Sequence, residues 1–373
     1  MLMKFNFLYM RGRVALSRLL LGLNILPGDK VAIQAFTCVA VPEALKSIGA
    51  IPVYVDVEKN SVNMSHKQLI NILEENEIKA VVVQHTFGIP ANIVQILETC
   101  NKREIPIIED CCHSINTKFQ EKYLGDWSKA SFYSFEWGKP IVAGIGGAVK
   151  GNDKKLKDFL EKDYSNMESV RLFENLKQLI QLIAFKIFYK PSFYWYLKDG
   201  FHLFSKLGIA TANFDKKNKY SIDNASKDFI KKMSFINRMQ LLISMKKLDR
   251  ELQHRKKIST LYEVEFNADD LKKFNVSKPS ENADISYSRF PILVKNKESV
   301  LMAAKNDRVE IASFFDTPIH PLSNKELHLV DYELGSCPNS EDLCKQLISF
   351  PINSKIDINA VKNFAKYINR EAE

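Results

Sequence analysis

No run of about 20 uninterrupted apolar residues occurs in this chain, so no membrane-spanning helix is expected. Paired cysteines are missing too. Cys38, Cys100, Cys111, Cys112, Cys337 and Cys344 show no CxxC spacing, and the vicinal Cys111–Cys112 suits neither a structural disulfide nor a zinc site. A reduced, cytosolic protein without a bound metal is expected. Acid is in deficit, 44 Asp and Glu against 53 Lys and Arg, for a formal charge of +9. The lysines are dispersed, and acidic residues break up "MKKLDRELQHRKK". The excess therefore reads as solvated helix faces, not a nucleic-acid surface. It also suits an anionic small substrate, phosphorylated or nucleotide-linked. The N-terminus lacks a small-residue cleavage site, and Arg11, Arg13 and Arg18 interrupt its apolar run, so no export is expected. Repeats and low-complexity tracts are absent.

What is present is enough for a large core. With 373 residues, 46% of them hydrophobic, two domains sharing an interface are expected. Twenty-four Phe, 13 Tyr and 3 Trp exclude disorder. The first 150 residues alternate helical and strand patterns. "RVALSRLLLGL" is helical, "KVAIQ" a short buried strand, "VPEALKSIG" a helix stopped by Gly49, and "IPVYVDV" a strand. "SHKQLINILEEN" carries an apolar i, i+3, i+4 stripe behind Ser65 as N-cap. "IKAVVVQ", "ANIVQILETCNK" and "IPIIED" continue the alternation. Such a pattern predicts an α/β fold with a mostly parallel sheet covered on both faces. "ASFYSF" and "GGAVKG" follow without an intervening helix, which makes the sheet mixed at its end.

Residues 1–254 are expected to form a large domain with a helical insertion at about 155–225, and residues 255–373 a smaller α+β domain. The insertion contains a dense apolar segment, Phe173–Phe204, broken by Pro191. It reads as packing on the main domain or at a subunit interface, with weak membrane-surface association as the other reading. One long helix is predicted over 226–262. "SRFPILV" reads as a strand, and "KESVLMAAKND" and "DINAVKNFAKYINR" as helices.

Ligands of open α/β sheets bind beyond the carboxyl ends of the strands. Two loops fall there: "IIEDCCHSI", with Glu109, Asp110 and His113, and the turn after "ASFYSF", with Lys139. By themselves these residues mark a site without naming a reaction. Pyridoxal 5′-phosphate (PLP) would give them distinct tasks. It needs a lysine for its Schiff base, an acid on the pyridine nitrogen and backbone donors for its phosphate. Lys139, Asp110 and the helix start at "RGRVALSRLL" offer these, with the Ser134 hydroxyl beside them.

The chain resembles the DegT-type family of PLP-dependent sugar aminotransferases, which have the aspartate-aminotransferase fold (fold type I). The resemblance runs in order through "GRVALSRLLLGLNILPGDKVAIQAFTCVAVPEALKSIGAIPVYVDV", "VVQHTFGIPANI", "IIEDCCHSI", "LGDWSKASFYSFEWGK" and "GIGGAVKGND". Weaker similarity continues in "MQLLISMKKLD" and "RVEIASFFDTPIHPL". It implies Lys139 as the Schiff-base lysine, Asp110 on the pyridine nitrogen and His113 toward the ring oxygen. Ser134 and the Gly12–Arg13–Val14 turn match the phosphate-binding positions. Family members that dehydrate sugars carry histidine at the lysine position, so Lys139 favours transamination.

Several positions depart from the family pattern. The usual N-terminal segment is absent or shortened. Arg13 replaces Thr or Ser, Cys38 replaces a ring-stacking aromatic, Glu136 a frequent histidine, and Ile145 the acid of a "GEGG" turn. Asn237 sits one place from the asparagine through which a second subunit reaches the phosphate. Glu136, Trp137 and His320 are candidate substrate residues. The resemblance implies a homodimeric, cytoplasmic enzyme of amino-sugar or surface-polysaccharide synthesis, moving an amino group from glutamate to a nucleotide-linked keto-sugar. A PLP-dependent sugar dehydratase and a catalytically degenerate PLP-binding partner protein are the alternatives.

Overall fold

The computed structural model describes residues 5, 7–151, 153–188, 195–196, 200, 230–266, 282–356 and 358–369. In chain order, β1 (Phe7–Tyr9) leads into α1 (Gly12–Gly22), β2 (Lys30–Gln34), the two-residue β3 (Thr37–Cys38), α2 (Ala40–Lys46) and β4 (Ile51–Val55). Then come α3 (His66–Glu75), β5 (Ile78–Gln84), α4 (Ile93–Asn101), β6 (Ile107–Asp110), β7 (Lys118–Phe119) and β8 (Lys122–Tyr123). After these lie β9 (Ala130–Ser134), β10 (Gly147–Gly151), α5 (Lys154–Asn166) and α6 (Leu172–Phe188). The last part holds α7 (Phe235–Lys246), α8 (Leu248–Phe266), β11 (Ala283–Asp284), β12 (Phe290–Leu293) and α9 (Lys297–Asn306). It closes with β13 (Ile319–His320), α10 (Pro338–Gln346), β14 (Leu347–Phe350) and α11 (Ile358–Asn369).

Seven strands form one sheet in the order β1-β10-β9-β6-β5-β2-β4. Every pair from β9 to β4 is parallel, and β10 runs against both of its neighbours. The reversed strand falls where β9 and β10 follow one another without a helix between them, as the sequence implied. Because side chains alternate across a strand, Val82 of β5 joins one core with Leu16, Leu19 and Leu45, under α1 and α2. Val81 and Val83 join the opposite core with Leu69 and Ile96, under α3 and α4. Both faces are thereby covered, and Ser65 caps α3 by accepting the Gln68 N–H at 3.4 Å.

The single long helix expected over 226–262 is two helices. Ser234 accepts the Asn237 N–H at 3.1 Å and starts α7 there, its hydroxyl offering the backbone an alternative to continuing the helix upstream. The residues just before it run alongside β1, with Met233 N–H donating to Leu8 and Lys231 accepting from Met10. Lys247 separates α7 from α8. Residues 226–229 lie outside the described residues, as do Pro191 and most of the second half of the Phe173–Phe204 segment.

Position 254 lies within α8, whose Leu248 packs in the sheet core and whose Ile258 and Tyr262 pack in a C-terminal core. That second core sets the antiparallel β12–β14 pair against α8, α9 and α11, through Phe290, Ile292, Ile348, Val300 and Val361. A two-residue parallel pairing, Ile319 with Thr37 and His320 with Cys38, ties the C-terminal part to the carboxyl end of the sheet.

Candidate active site

The ends of β5, β6 and β9, the start of α1 and Cys38 of β3 converge on one cleft. Lys139, Asp110, His113 and Ser134 all line it, as do Gly12, Arg13, Cys38 and Glu136.

Lys139 sits on a tight turn in which its own N–H donates to the Glu136 carbonyl at 3.2 Å. Gly138 has φ +81°, a conformation that any side chain would strain. The loop is held from behind. Asn237 Nδ2 donates to the Ala143 carbonyl at 2.6 Å and Ser244 Oγ to that of Val142 at 2.7 Å. Trp137 packs on Phe185 of α6, with ring centroids 4.1 Å apart.

Asp110 ends β6, where its Oδ1 accepts the Cys112 N–H at 2.9 Å. Burial pushes its carboxyl up, against the pull of the Cys112 hydrogen bonds and the Lys139 charge. His113 Nδ1 accepts the Phe87 N–H at 3.2 Å, which places the ring proton on Nε2. Burial first, and the Lys139 charge second, push this imidazole well below its ordinary pKa and keep it neutral. It therefore faces the cleft system as an N–H donor that carries no charge. Glu109, the other acid of the motif, turns the opposite way. Its carboxylate accepts from Gly125 N–H at 2.6 Å, Ser128 N–H at 2.7 Å and the His85 ring at 3.2 Å. Burial opposes its charge, yet these donors hold it below the ordinary carboxylate range. His85, Glu109 and Cys111 do cluster with metal-ligand atoms. However, His85 Nδ1 accepts the Ala91 N–H and Glu109 is occupied by protein donors, so the group is a satisfied buried network.

At the other end of the cleft, the start of α1 lies against Ser134. A Cβ built on Gly12 would stand 3.2 Å from Ser134 Cβ and 3.5 Å from its Oγ. Among the described residues no side chain caps α1, and no acid lies in its first turn to offset the positive end of the helix dipole beside this cradle. Arg13 pairs with Glu43, and the fully buried Arg11 with Glu136 at 3.2 Å.

Other sequence-predicted residues lie elsewhere. Val14 is buried in α1, its N–H donating to the Arg11 carbonyl. Trp137 and Asn237 support the Lys139 loop from outside the cleft lining. His320 stands beside Phe315, ring centroids 5.9 Å apart, and its Nδ1 accepts the Asp316 N–H at 3.4 Å. Gln84, Cys112 and Phe315 line the cleft without having been anticipated. Gln84 had a signal, a polar residue ending an apolar strand as Asp110 does. Phe315 had none, because only the β3–β13 pairing brings it near Cys38.

Residues 10–369 match the pattern of the DegT/DnrJ/EryC1/StrS aminotransferase family. The chain belongs to this family. One relative is the GDP-perosamine synthase of Escherichia coli O157:H7, 37% identical over 147 residues, a match covering 39% of this chain and 40% of that protein. This stretch spans well under half the length of that relative. Another, the UDP-2-acetamido-2-deoxy-3-oxo-D-glucuronate aminotransferase of Pseudomonas aeruginosa, is 24% identical over 354 residues, covering 94% of this chain and 82% of that one. Among solved structures, the PMP form of Spr1654 from Streptococcus pneumoniae aligns with a TM-score of 0.71 at 16% identity, over 98% of this chain and 87% of that one.

The DegT/DnrJ/EryC1/StrS family uses PLP, and the residues present fit that group. An amine, a buried acid, a neutral N–H donor and an uncapped helix start beside a hydroxyl line one cleft, in a cradle that a Cβ at Gly12 would fill.

Proposed function

We propose that this chain is a PLP-dependent aminotransferase that moves an amino group, from glutamate, onto a nucleotide-linked keto-sugar. The observation that supports it most is the convergence of Lys139 and Asp110 in one cleft that opens at the α1 start. PLP, when bound, supplies an electron sink. Asp110 would keep a proton on the pyridine nitrogen, an acid that burial alone would leave reluctant to ionise and that a cationic ring nitrogen would favour. The neutral His113 would donate from Nε2 to the ring oxygen. Lys139 would hold the cofactor and, once displaced by substrate, carry the proton taken from the donor's α-carbon.

Division into domains near 254 and a cytoplasmic location belong to the same reading. So does a homodimer, in which a second copy covers the exposed apolar residues of α6 and α7, among them Phe173, Ile180, Ile183, Phe235 and Leu242. A patch of that kind is uncommon on a monomer. Among the described residues no helix is long and apolar enough to cross a membrane.

The test incubates the PLP-loaded protein with glutamate and a panel of nucleotide-linked keto-sugars. An amino-sugar product, abolished in Lys139→Ala, is expected. Ammonia release without amino-sugar, or full turnover in Lys139→Ala, would refute the proposal.

A further inference from the structure

The proposed function leaves the Arg13 side chain and Glu43 without a task. Arg13 is the second residue of α1 and lines the cleft next to Gly12 and Ser134. Its guanidinium pairs with Glu43 of α2, and the two side chains are only 16% and 19% exposed. A surface ion pair contributes little, and a buried one must offset the desolvation of both charges. A half-buried pair whose Arg13 lines a ligand cleft is therefore costly unless a ligand uses it. Arg11 and Glu136 pair close by, so Arg13 and Glu136 in the cleft lining are each matched by an opposite charge, Glu43 and Arg11, behind it. An incoming phosphate dianion gains little from that balance unless one cation turns its donors to it. A guanidinium presents a planar fork of donors that can serve a carboxylate and a phosphate together.

We propose that Arg13 is a phosphate clamp at the α1 start, held over the cradle by Glu43, whose carboxylate in turn limits how tightly the phosphate is held. This rests on the reading of the cleft as a PLP site. Arg13 then does more than present a backbone amide. Glu43 holds the guanidinium in place and competes with the ligand for it.

The test measures dissociation constants of the cofactor-free protein for PLP and for pyridoxal, which lacks the phosphate, by equilibrium dialysis. Arg13→Gln is expected to weaken PLP roughly tenfold or more and to leave pyridoxal unchanged, since a charge-assisted contact is lost only from the phosphate. Arg13→Lys keeps the charge without the fork and is expected to fall between. Glu43→Gln is expected to tighten PLP by about threefold, because a like charge beside the dianion is removed. PLP affinity unchanged in Arg13→Gln, or PLP and pyridoxal weakened alike, would overturn the clamp. If Arg13→Gln does not fold, Arg13→Lys and Glu43→Gln decide: wild-type PLP affinity in both overturns it equally. A wild-type protein that binds neither compound would overturn the cofactor reading itself, and the clamp with it.

Discussion

Glu109 and Asp110 are adjacent in sequence and opposite in role, because successive side chains of a strand point to opposite faces. Glu109 enters a buried network with His85 and the amides of Gly125 and Ser128. Glu109→Ala strands those donors and is expected to cost about 3–5 kcal/mol in urea unfolding. Asp110 carries a charge that burial disfavours. Asp110→Asn is accordingly expected to hold or raise stability while PLP affinity and turnover fall, and a loss of stability matching that of Glu109→Ala would contradict the assignment. His113 gives a pH signature. Its folded pKa lies well below the ordinary 6.5. As pH falls below 6.5 the unfolded chain binds a proton that the folded chain refuses, so stability declines from there downward and is unaffected above it. Denaturant titrations between pH 5 and 7.5 should show that acid limb, and His113→Asn should flatten it. The sequence pointed to Asp110, His113, Ser134 and Lys139 because each ends a strand or opens a turn at the predicted ligand edge. It did not reveal that Glu109 is structural, since that depends on the loop at Gly125–Ser128 folding back.

At the scale of elements, the site depends on how closely α1 approaches the sheet. A Cβ on Gly147 of β10 would fall 2.6 Å from the Cα and N of Gly12, backbone atoms that cannot give way without moving the helix start. Gly147→Ala is expected to destabilise the protein by about 1–3 kcal/mol and to weaken PLP retention through the displaced Ser134 cradle. Thermal unfolding and dialysis against buffer check both, and a stable variant with unchanged retention would contradict the close approach. The strands "KVAIQ" and "IKAVVVQ" were legible to the residue, because buried parallel strands are short apolar runs. The break between α7 and α8 was not. Nor was the late start of α7 at Phe235, whose cause is the Ser234 cap together with pairing to β1, more than 200 residues away, a contact of which local periodicity carries no trace.

For the molecule as a whole, α6 is the element whose apolar surface most needs a partner among the exposed side chains of the described residues. It buries Gln178 and Leu182 against the body, yet leaves Leu172, Phe173, Ile180 and Ile187 open to solvent. Its Phe185 nonetheless touches Trp137 beside the Lys139 turn, so whatever covers α6 also bears on the cleft. Sedimentation velocity is expected to give a dimer, and Ile180→Lys with Ile183→Lys to shift it toward monomer. A wild-type monomer that instead floats with anionic vesicles would replace the second copy with a membrane surface. The sequence indicated a dense apolar helical insertion here but not which side it packs on. Borohydride reduction of the PLP-loaded protein followed by peptide mass spectrometry should place a phosphopyridoxyl group on Lys139. A label on another lysine, or none at all, would contradict the account.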